Sequence, residues 1–144
     1  MVREILPGEL EELLALYTQL HGNAMPEDTQ KLRELWQRIM DDPDHYIIVS
    51  LEGEQIVSSC VCVIIPNLTH GLQPYAVVEN VITHEAYRGR GHASACLAYA
   101  HAVASHAGCY KMMLLTGSKE ESTHRFYRNA GYNAIDKTAY IRWL

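Results

Sequence analysis

Seven residues, Tyr87, Arg88, Gly89, Arg90, Gly91, His92 and Ala93, stand between a β-branched stretch and an alanine-rich one, and their types suit the cradling of a pyrophosphate. Two glycines one residue apart let the backbone turn tightly and bring its amides close to a ligand, because no Cβ intervenes. A helix starting directly afterwards aims its unpaired N–H groups and positive dipole end at the same point. Arg88 and Arg90 flank the turn, and each either reaches a phosphate or points into water. Glu79 interrupts the otherwise apolar run 75–83. A carboxylate is costly to bury, so Glu79 either has a chemical task there or faces solvent or a structural partner. Strand alternation puts Asn80 on the opposite face. Histidine in general titrates near neutrality, which makes His84 and His92 candidates, but both lie in or beside the turn, where surface or capping roles compete with catalysis.

The elements that must position these groups follow from hydrophobic spacing. Residues 75–83 are rich in Val and Ile and read as a central strand running into the glycine turn. Residues 93–107 favour helix, with Ala93, Cys96, Leu97, Ala100, Val103 and Ala104 on one side and Gly108 as terminator. Strand, turn and helix come in the order a phosphate loop needs. Upstream, residues 1–6 can form a first strand. Leu10, Leu13, Leu14, Tyr17 and Leu20 mark one face of a helix that His21, Gly22 and Asn23 end. A second helix carries Leu32, Leu35, Trp36, Ile39 and Met40 after the start signal of Pro26, Glu27 and Asp28. Residues 46–51 and 55–65 read as an antiparallel hairpin around Glu52 and Gly53, and 66–73 as a loop. Residues 110–116 form another strand. Ser118 and Glu121 make a capping box for a helix bearing Phe126 and Tyr127 and ended by Gly131. Residues 132–135 and 138–144 then read as two closing strands around Asp136 and Lys137.

A chain of 144 residues is the size of one domain, and residues 1–144 are read as such. The formal net charge of −5 argues against a nucleic-acid partner, which would call for a basic face, so the two loop arginines are a local device for a small anion. No apolar segment approaches the roughly 20 residues that span a bilayer, and the first residues carry acids without a signal-peptide pattern, so a cytoplasmic protein without a membrane partner is expected. Cys60, Cys62, Cys96 and Cys109 have no CxxC spacing and read as buried free thiols. The eight histidines show no zinc-site spacing, so no metal is expected. The GxxxxGK motif of P-loop NTPases is absent, and Ser94 stands where a dinucleotide GxGxxG would place its third glycine.

The run Arg88, Gly89, Arg90, Gly91, His92, Ala93 resembles the Arg/Gln, x, x, Gly, x, Gly/Ala signature of the GNAT superfamily of acyl-CoA-dependent N-acetyltransferases. Phe126 and Tyr127 ahead of Gly131 and Tyr132 resemble that family's FYxxxGF block, with Tyr132 in place of its last aromatic. The likeness covers nearly the whole chain. It implies an α/β (α+β) GNAT-like fold: a splayed, mixed, mostly antiparallel sheet of six or seven strands flanked by about four helices, with acetyl-CoA in the splay. The pyrophosphate would rest on main-chain amides from Gly89 to Ser94, through Arg90, Gly91, His92 and Ala93. Exposed backbone groups of Val81, Ile82 and Thr83 would bind the pantetheine arm like an added strand.

The implied activity is direct acetyl transfer, in a ternary complex, from acetyl-CoA to a primary amine of a small molecule or peptide. Tyr127 matches the tyrosine that in many relatives donates a proton to the departing CoA sulfur; its ordinary alternative is packing beside Phe126. Glu79 could bind or deprotonate the amine. A lysine-like amine has a pKa near ~10.4 and must lose its proton before attack. Where many relatives have an asparagine that contacts the CoA arm, this chain has Glu120, which cannot donate in the same way; Ser118, Lys119 or water could substitute. The contrasting reading is a non-catalytic CoA-binding sensor or interaction module on the same fold. Glu27, Asp28, Asp41, Asp42 and Asp44 either favour a cationic acceptor or form a solvated face. A homodimer is common among relatives.

Overall fold

Residues 1–20 and 22–144 are described by the computed structural model; His21, assigned above to the end of the first helix, lies outside them. Two strands at the centre owe their position to side chains that are apolar on both faces. In β2 (His45–Glu52) and β3 (Gln55–Ile65), Ile48, Val49, Val57, Cys60 and Cys62 are all fully buried. They pair antiparallel around the turn at Gly53 and Glu54. β1 (Val2–Glu4) pairs antiparallel with β2, and β4 (Tyr75–Thr83) with β3. β5 (Met112–Leu114) lies parallel to β4, giving a single mixed sheet in the order β1-β2-β3-β4-β5.

Each sheet face carries its own apolar cluster. On one side Ile48, Cys60, Cys62, Val78, Cys96, Leu97 and Ala100 come together beneath α3 (His92–His106), with Phe126 and Tyr127 of α4 (Glu121–Asn129) packed against them. Cys96, Ala100 and Ala104 make the inner face of α3 small enough for the helix to lie close to the sheet. On the other side Leu13 and Leu16 of α1 (Leu10–Tyr17) meet Val49, Ile56, Val61 and Ile82, and Trp36, Ile39 and Met40 of α2 (Gln30–Asp41) cover the edge. The start of α2 is set by Thr29, whose side chain accepts from the Leu32 N–H. Trp36 Nε1 donates to the Pro7 carbonyl at 2.9 Å and ties the two helical segments together.

Three expectations are corrected. The sheet has five strands among the described residues, not six or seven. Residues 132–135 and 138–144 form no strands: Asn133 Oδ1 accepts from the Ile135 and Asp136 N–H groups, both at 3.0 Å, and every residue from 133 to 144 is exposed. Strand-forming composition only permits a strand; a ladder also needs a partner edge, and this chain's fold does not bring one to the segment. The capping box at Ser118 and Glu121 is absent as well. Glu120 is the N-cap, while Ser118 Oγ accepts from the Glu120 N–H at 3.2 Å and donates to Thr123 Oγ1 at 3.0 Å. A serine two residues ahead of that N–H closes its own local turn in preference to capping. All four cysteines are free, with Cys60, Cys62 and Cys96 buried and Cys109 half-buried.

One irregularity controls the site. Along β3 the register advances by two residues from Val61 to Ser59, while β4 advances by three, from Glu79 to Ile82. β4 therefore holds an extra residue, a bulge that reverses which face its side chains meet. Val78 faces the α3 cluster and Ile82 the α1 cluster. Asn80 takes up the extra length in the left-handed region, at φ 50°, a conformation that Asn tolerates and β-branched residues do not. Asn80→Gly is expected to hold urea stability within about 0.5 kcal/mol, and Asn80→Val to lower it by about 2 kcal/mol. Matched denaturation curves check this, and equal losses for the two variants would contradict it.

Candidate active site

The glycine turn arises where β4 ends. His84 caps a short 3₁₀ turn, its Nδ1 accepting from the Ala86 N–H at 3.1 Å, which is the capping role open to it in the sequence. Gly89 and Gly91 then adopt φ 74° and 85°. No atom lies within 4 Å of where a Cβ would stand on either glycine, so the space above the turn is open. Gly91 is the N-cap of α3 and offers no side-chain acceptor, and the first bond within the helix runs from Ala95 N to Gly91 O. The amides of His92, Ala93 and Ser94 are thus left for a ligand, at the positive end of a fifteen-residue helix. This fits an anionic group approaching the main chain.

The side chains around the turn hold it in place. Arg90 Nη1 pairs with Glu52 Oε1 at 2.9 Å and its guanidinium lies over the Tyr87 ring at 5.1 Å. His92 bridges two residues of β2, with Nε2 at 3.1 Å from Glu52 Oε2 and Nδ1 at 2.9 Å from Ser50 Oγ. Arg88 Nε donates to the Thr83 carbonyl at 3.3 Å. Arg90 is thus engaged by Glu52 and Arg88 through Nε alone, and the main-chain amides at the start of α3 are free donors beside them.

Beside the cradle the sheet opens. β5 pairs with β4 only at Ala76, Val77 and Val78, whereas β4 continues to Thr83. From Glu79 onward β4 pairs with β3 at Glu79, Ile82 and Thr83, and among the described residues no strand lies on its other side. Val81, Ile82 and Thr83 lie on this free edge and lead directly into the turn. The sheet is thus open beside the turn because β4 outruns β5.

Tyr127 packs on the α3-side cluster, with ring centroids 5.1 Å from Phe126 and 6.3 Å from Tyr132. Burial pushes its phenol above the ordinary tyrosine value, with the nearby Cys60 adding in the same direction. Its hydroxyl makes no hydrogen bond among the described residues and remains a protonated donor. Cys60, Cys62 and Cys96 are fully enclosed, out of reach of any thioester in the gap.

Glu79 is exposed, at the fork where β5 stops pairing. Of the alternatives the sequence leaves open, a carboxylate facing solvent is the one found: the bulge brings it to the surface on the α1 side, opposite Val61 in the ladder. The expectation for Asn80 is corrected, because the bulge places it beside Tyr17 of α1 rather than on the opposite face. Sequence reasoning missed the two groups next to it. Among the described residues the Tyr17 hydroxyl and Ser59 Oγ are buried and meet no hydrogen-bond partner. Burial pushes the Tyr17 phenol up to about 12, with Ser59 and Asn80 close enough to offset this only in part. The available signals were a tyrosine on a leucine face and a serine pair, Ser58 and Ser59, inside an apolar strand. Among the described residues no group of three metal-ligating side chains converges, and no helix is long and apolar enough to cross a membrane.

Residues 9–132 match the Acetyltransferase (GNAT) family, and the chain belongs to it. It is therefore an acyltransferase of a family that uses acetyl-CoA. A putative acetyltransferase from Agrobacterium tumefaciens is 36% identical, covers 99% of both chains and superposes with a TM-score of 0.91. A transcriptional regulator from Bacillus halodurans is 26% identical over 99% of both chains, with a TM-score of 0.87. The fold is also that of glucosamine-6-phosphate N-acetyltransferase from Arabidopsis thaliana, at 17% identity, a TM-score of 0.85 and coverage of 100% of this chain and 97% of that one. No curated protein sequence matches the chain.

If the anion is held by main-chain donors, backbone changes matter more than charge removal. Gly91→Val is expected to lower CoA affinity by at least about tenfold, through left-handed strain and a side chain in the open space. Arg90→Ala, which removes a guanidinium already paired with Glu52, is expected to lower it by less than about threefold. Calorimetric titration of both variants with CoA checks the ranking, and the reverse order would refute a main-chain cradle.

Proposed function

We propose that this chain transfers the acetyl group of acetyl-CoA to a primary amine of a small molecule or peptide, by direct attack with both substrates bound, in the cytoplasm and as a homodimer. The observation that carries this reading is the free edge of β4 from Glu79 to Thr83 running straight into the open amides of α3. Acetyl-CoA supplies a thioester already reactive toward amines. Val81, Ile82 and Thr83 bind its pantetheine arm through the main chain, as an added strand would be bound. The amides from Gly89 to Ser94 hold its pyrophosphate, with Arg88 and Arg90 supplying positive charge alongside.

Tyr127 donates its proton to the leaving sulfur, and burial keeps that proton in place over the working range. Glu79, standing at the fork and open to solvent, draws in the ammonium form of the acceptor and accepts its proton. Tyr17, Ser59 and Asn80 line the α1 side of the same fork, and the unpaired hydroxyls of the first two suit an acceptor's polar groups or a water. The enclosed cysteines support direct attack over transfer through a thiol. Amine-bearing small molecules accord with solved neighbours described as aminoglycoside and glucosamine-6-phosphate N-acetyltransferases. The second reading, a CoA-binding sensor without turnover, draws on the Bacillus halodurans likeness.

Incubation with acetyl-CoA and a panel of amines, followed by free thiol, separates the two: acyl transfer releases thiol only with an acceptor, while CoA binding without turnover leaves the sensor. Tyr127→Phe is expected to lower kcat about a hundredfold with CoA affinity unchanged, and Glu79→Gln to raise the acceptor KM about tenfold. Because the Tyr127 phenol is held above its ordinary value, the wild-type rate should climb as the amine deprotonates and show no falling limb below about pH 10. A decline between neutrality and that point, lost in Tyr127→Phe, would contradict the assignment.

A further inference from the structure

Two consecutive serines, Ser58 and Ser59, stand in β3 beside the bulge of β4, and both are fully buried. Successive side chains of a strand point to opposite faces. On one face Ser58 is accounted for, since its Oγ donates to the Ile82 carbonyl at 2.9 Å and lies 2.8 Å from Thr83 Oγ1. Ser59 alternates onto the other face, that of Val61 and α1, where among the described residues its Oγ and the Tyr17 hydroxyl meet no hydrogen-bond partner. Two enclosed hydroxyls side by side are costly unless something bonds them.

Their surroundings are closed. The chain just past α1 is fastened across the end of β4 by Gln19, whose Oε1 accepts from the Glu85 N–H at 3.0 Å. Ile82 packs in the same cluster as Tyr17. Asn80 lies at the surface in its left-handed conformation, with its side chain close to the Tyr17 hydroxyl. Both hydroxyl oxygens are sealed from the gap, so an acceptor cannot touch them and a water can.

We propose that one internal water lies beneath the bulge, bonded to the Tyr17 hydroxyl, Ser59 Oγ and the Asn80 side chain, and that this three-way link latches β4 in its register. Internal waters make about three hydrogen bonds to polar groups that otherwise have none, and three groups converge here. The Tyr17 phenol, pushed up to about 12 by burial, keeps its proton and donates; Ser59 Oγ and the Asn80 carbonyl oxygen accept from the water. The serine pair thus grips β4 from both faces, Ser58 beyond the surplus residue and Ser59 at it. A bulge free to move one residue toward Val78 would take Glu79 out of its place opposite Val61. Tyr17 and Ser59 are therefore positioning residues, which act on the acceptor through Glu79. Glycine at position 80 would give up one bond of the latch and shed the left-handed strain, two changes that offset each other.

A double-mutant cycle on the full chain tests this. Tyr17→Phe and Ser59→Ala are each expected to lower the thermal midpoint by about 3 to 5 °C, and the double variant by no more than either alone, because one water serves both hydroxyls. Hydroxyls with nothing to bond would give the opposite sign, and a midpoint raised by either substitution would overturn the proposal. Losses that simply add would overturn it as well. A crystal structure of the wild type should show one water within about 3.2 Å of all three groups; a direct bond between Tyr17 and Ser59 in its place would refute the latch. Hydrogen exchange at residues 79–82 should quicken about tenfold in either variant, and unchanged exchange would show that the bulge is held by other means. The positioning step rests on the function proposed above: Tyr17→Phe should raise the acceptor KM about fivefold with kcat within about twofold, and an unmoved KM would make Tyr17 a packing residue only. A wild type without turnover would sink that function alone, since midpoint, electron density and exchange are all read without substrate.

Discussion

The site depends on the far end of β4, from Glu79 to Thr83, being held by β3 on one side and unpaired on the other. Main-chain N–H and C=O groups require partners, and an unpaired buried group costs about 1–3 kcal/mol. A strand that leaves its neighbour must therefore be held firmly by what remains. β3 supplies that hold. Ser58 Oγ donates to the Ile82 carbonyl at 2.9 Å and lies 2.8 Å from Thr83 Oγ1, and the His84 N–H bonds to the Val57 carbonyl at 2.8 Å. These bonds fasten the far end of β4 to β3 just where β5 has fallen away. The outer edge stays extended, ordered and open.

Electrostatics around the cradle works by placement more than by strength. Arg90 and His92 both converge on Glu52, and His92 also reaches Ser50, so the turn and the first residue of α3 are anchored to β2 by three short links. Exposed pairs of this kind contribute at most about 1 kcal/mol to stability. Their effect is to fix the direction of the α3 N-terminus, whose amides and dipole act on an anion without any side-chain charge. That is consistent with a chain of net charge −5, where a diffuse basic surface is lacking and the positive potential is local.

Legibility in the sequence followed the range of the interactions. The strand 75–83, the helix behind the glycine turn and the hairpin of β2 and β3 were readable because period, glycine placement and β-branched composition are local signals. The closing strands at 132–144 were not, because composition states what a segment can do and pairing depends on which edges the rest of the fold leaves free. The bulge at Asn80 was hidden for a related reason. One extra residue in β4 is visible only against the register of β3, and without it Asn80 is placed on the wrong face and the exposure of Glu79 is left undecided. Tyr17 and Ser59 come together from segments about forty residues apart, a proximity that no local pattern encodes.

The same contrast explains why cofactor binding and acceptor choice differ in how well they can be read. Main-chain recognition needs only two glycines, a helix start and an unpaired strand edge, so its signature is short and tolerates variation at positions such as His92, whose side chain turns to β2. The acceptor side proposed above would instead be built from side chains, Tyr17, Ser59, Glu79 and Asn80, delivered by three different elements. Removing the bulge would return Asn80 and Ile82 to the opposite faces and expose a different set at the fork. Specificity on this fold can therefore change through register alone, with the cradle untouched, because the bulge lies between the bonded part of β4 and the edge that meets the cofactor.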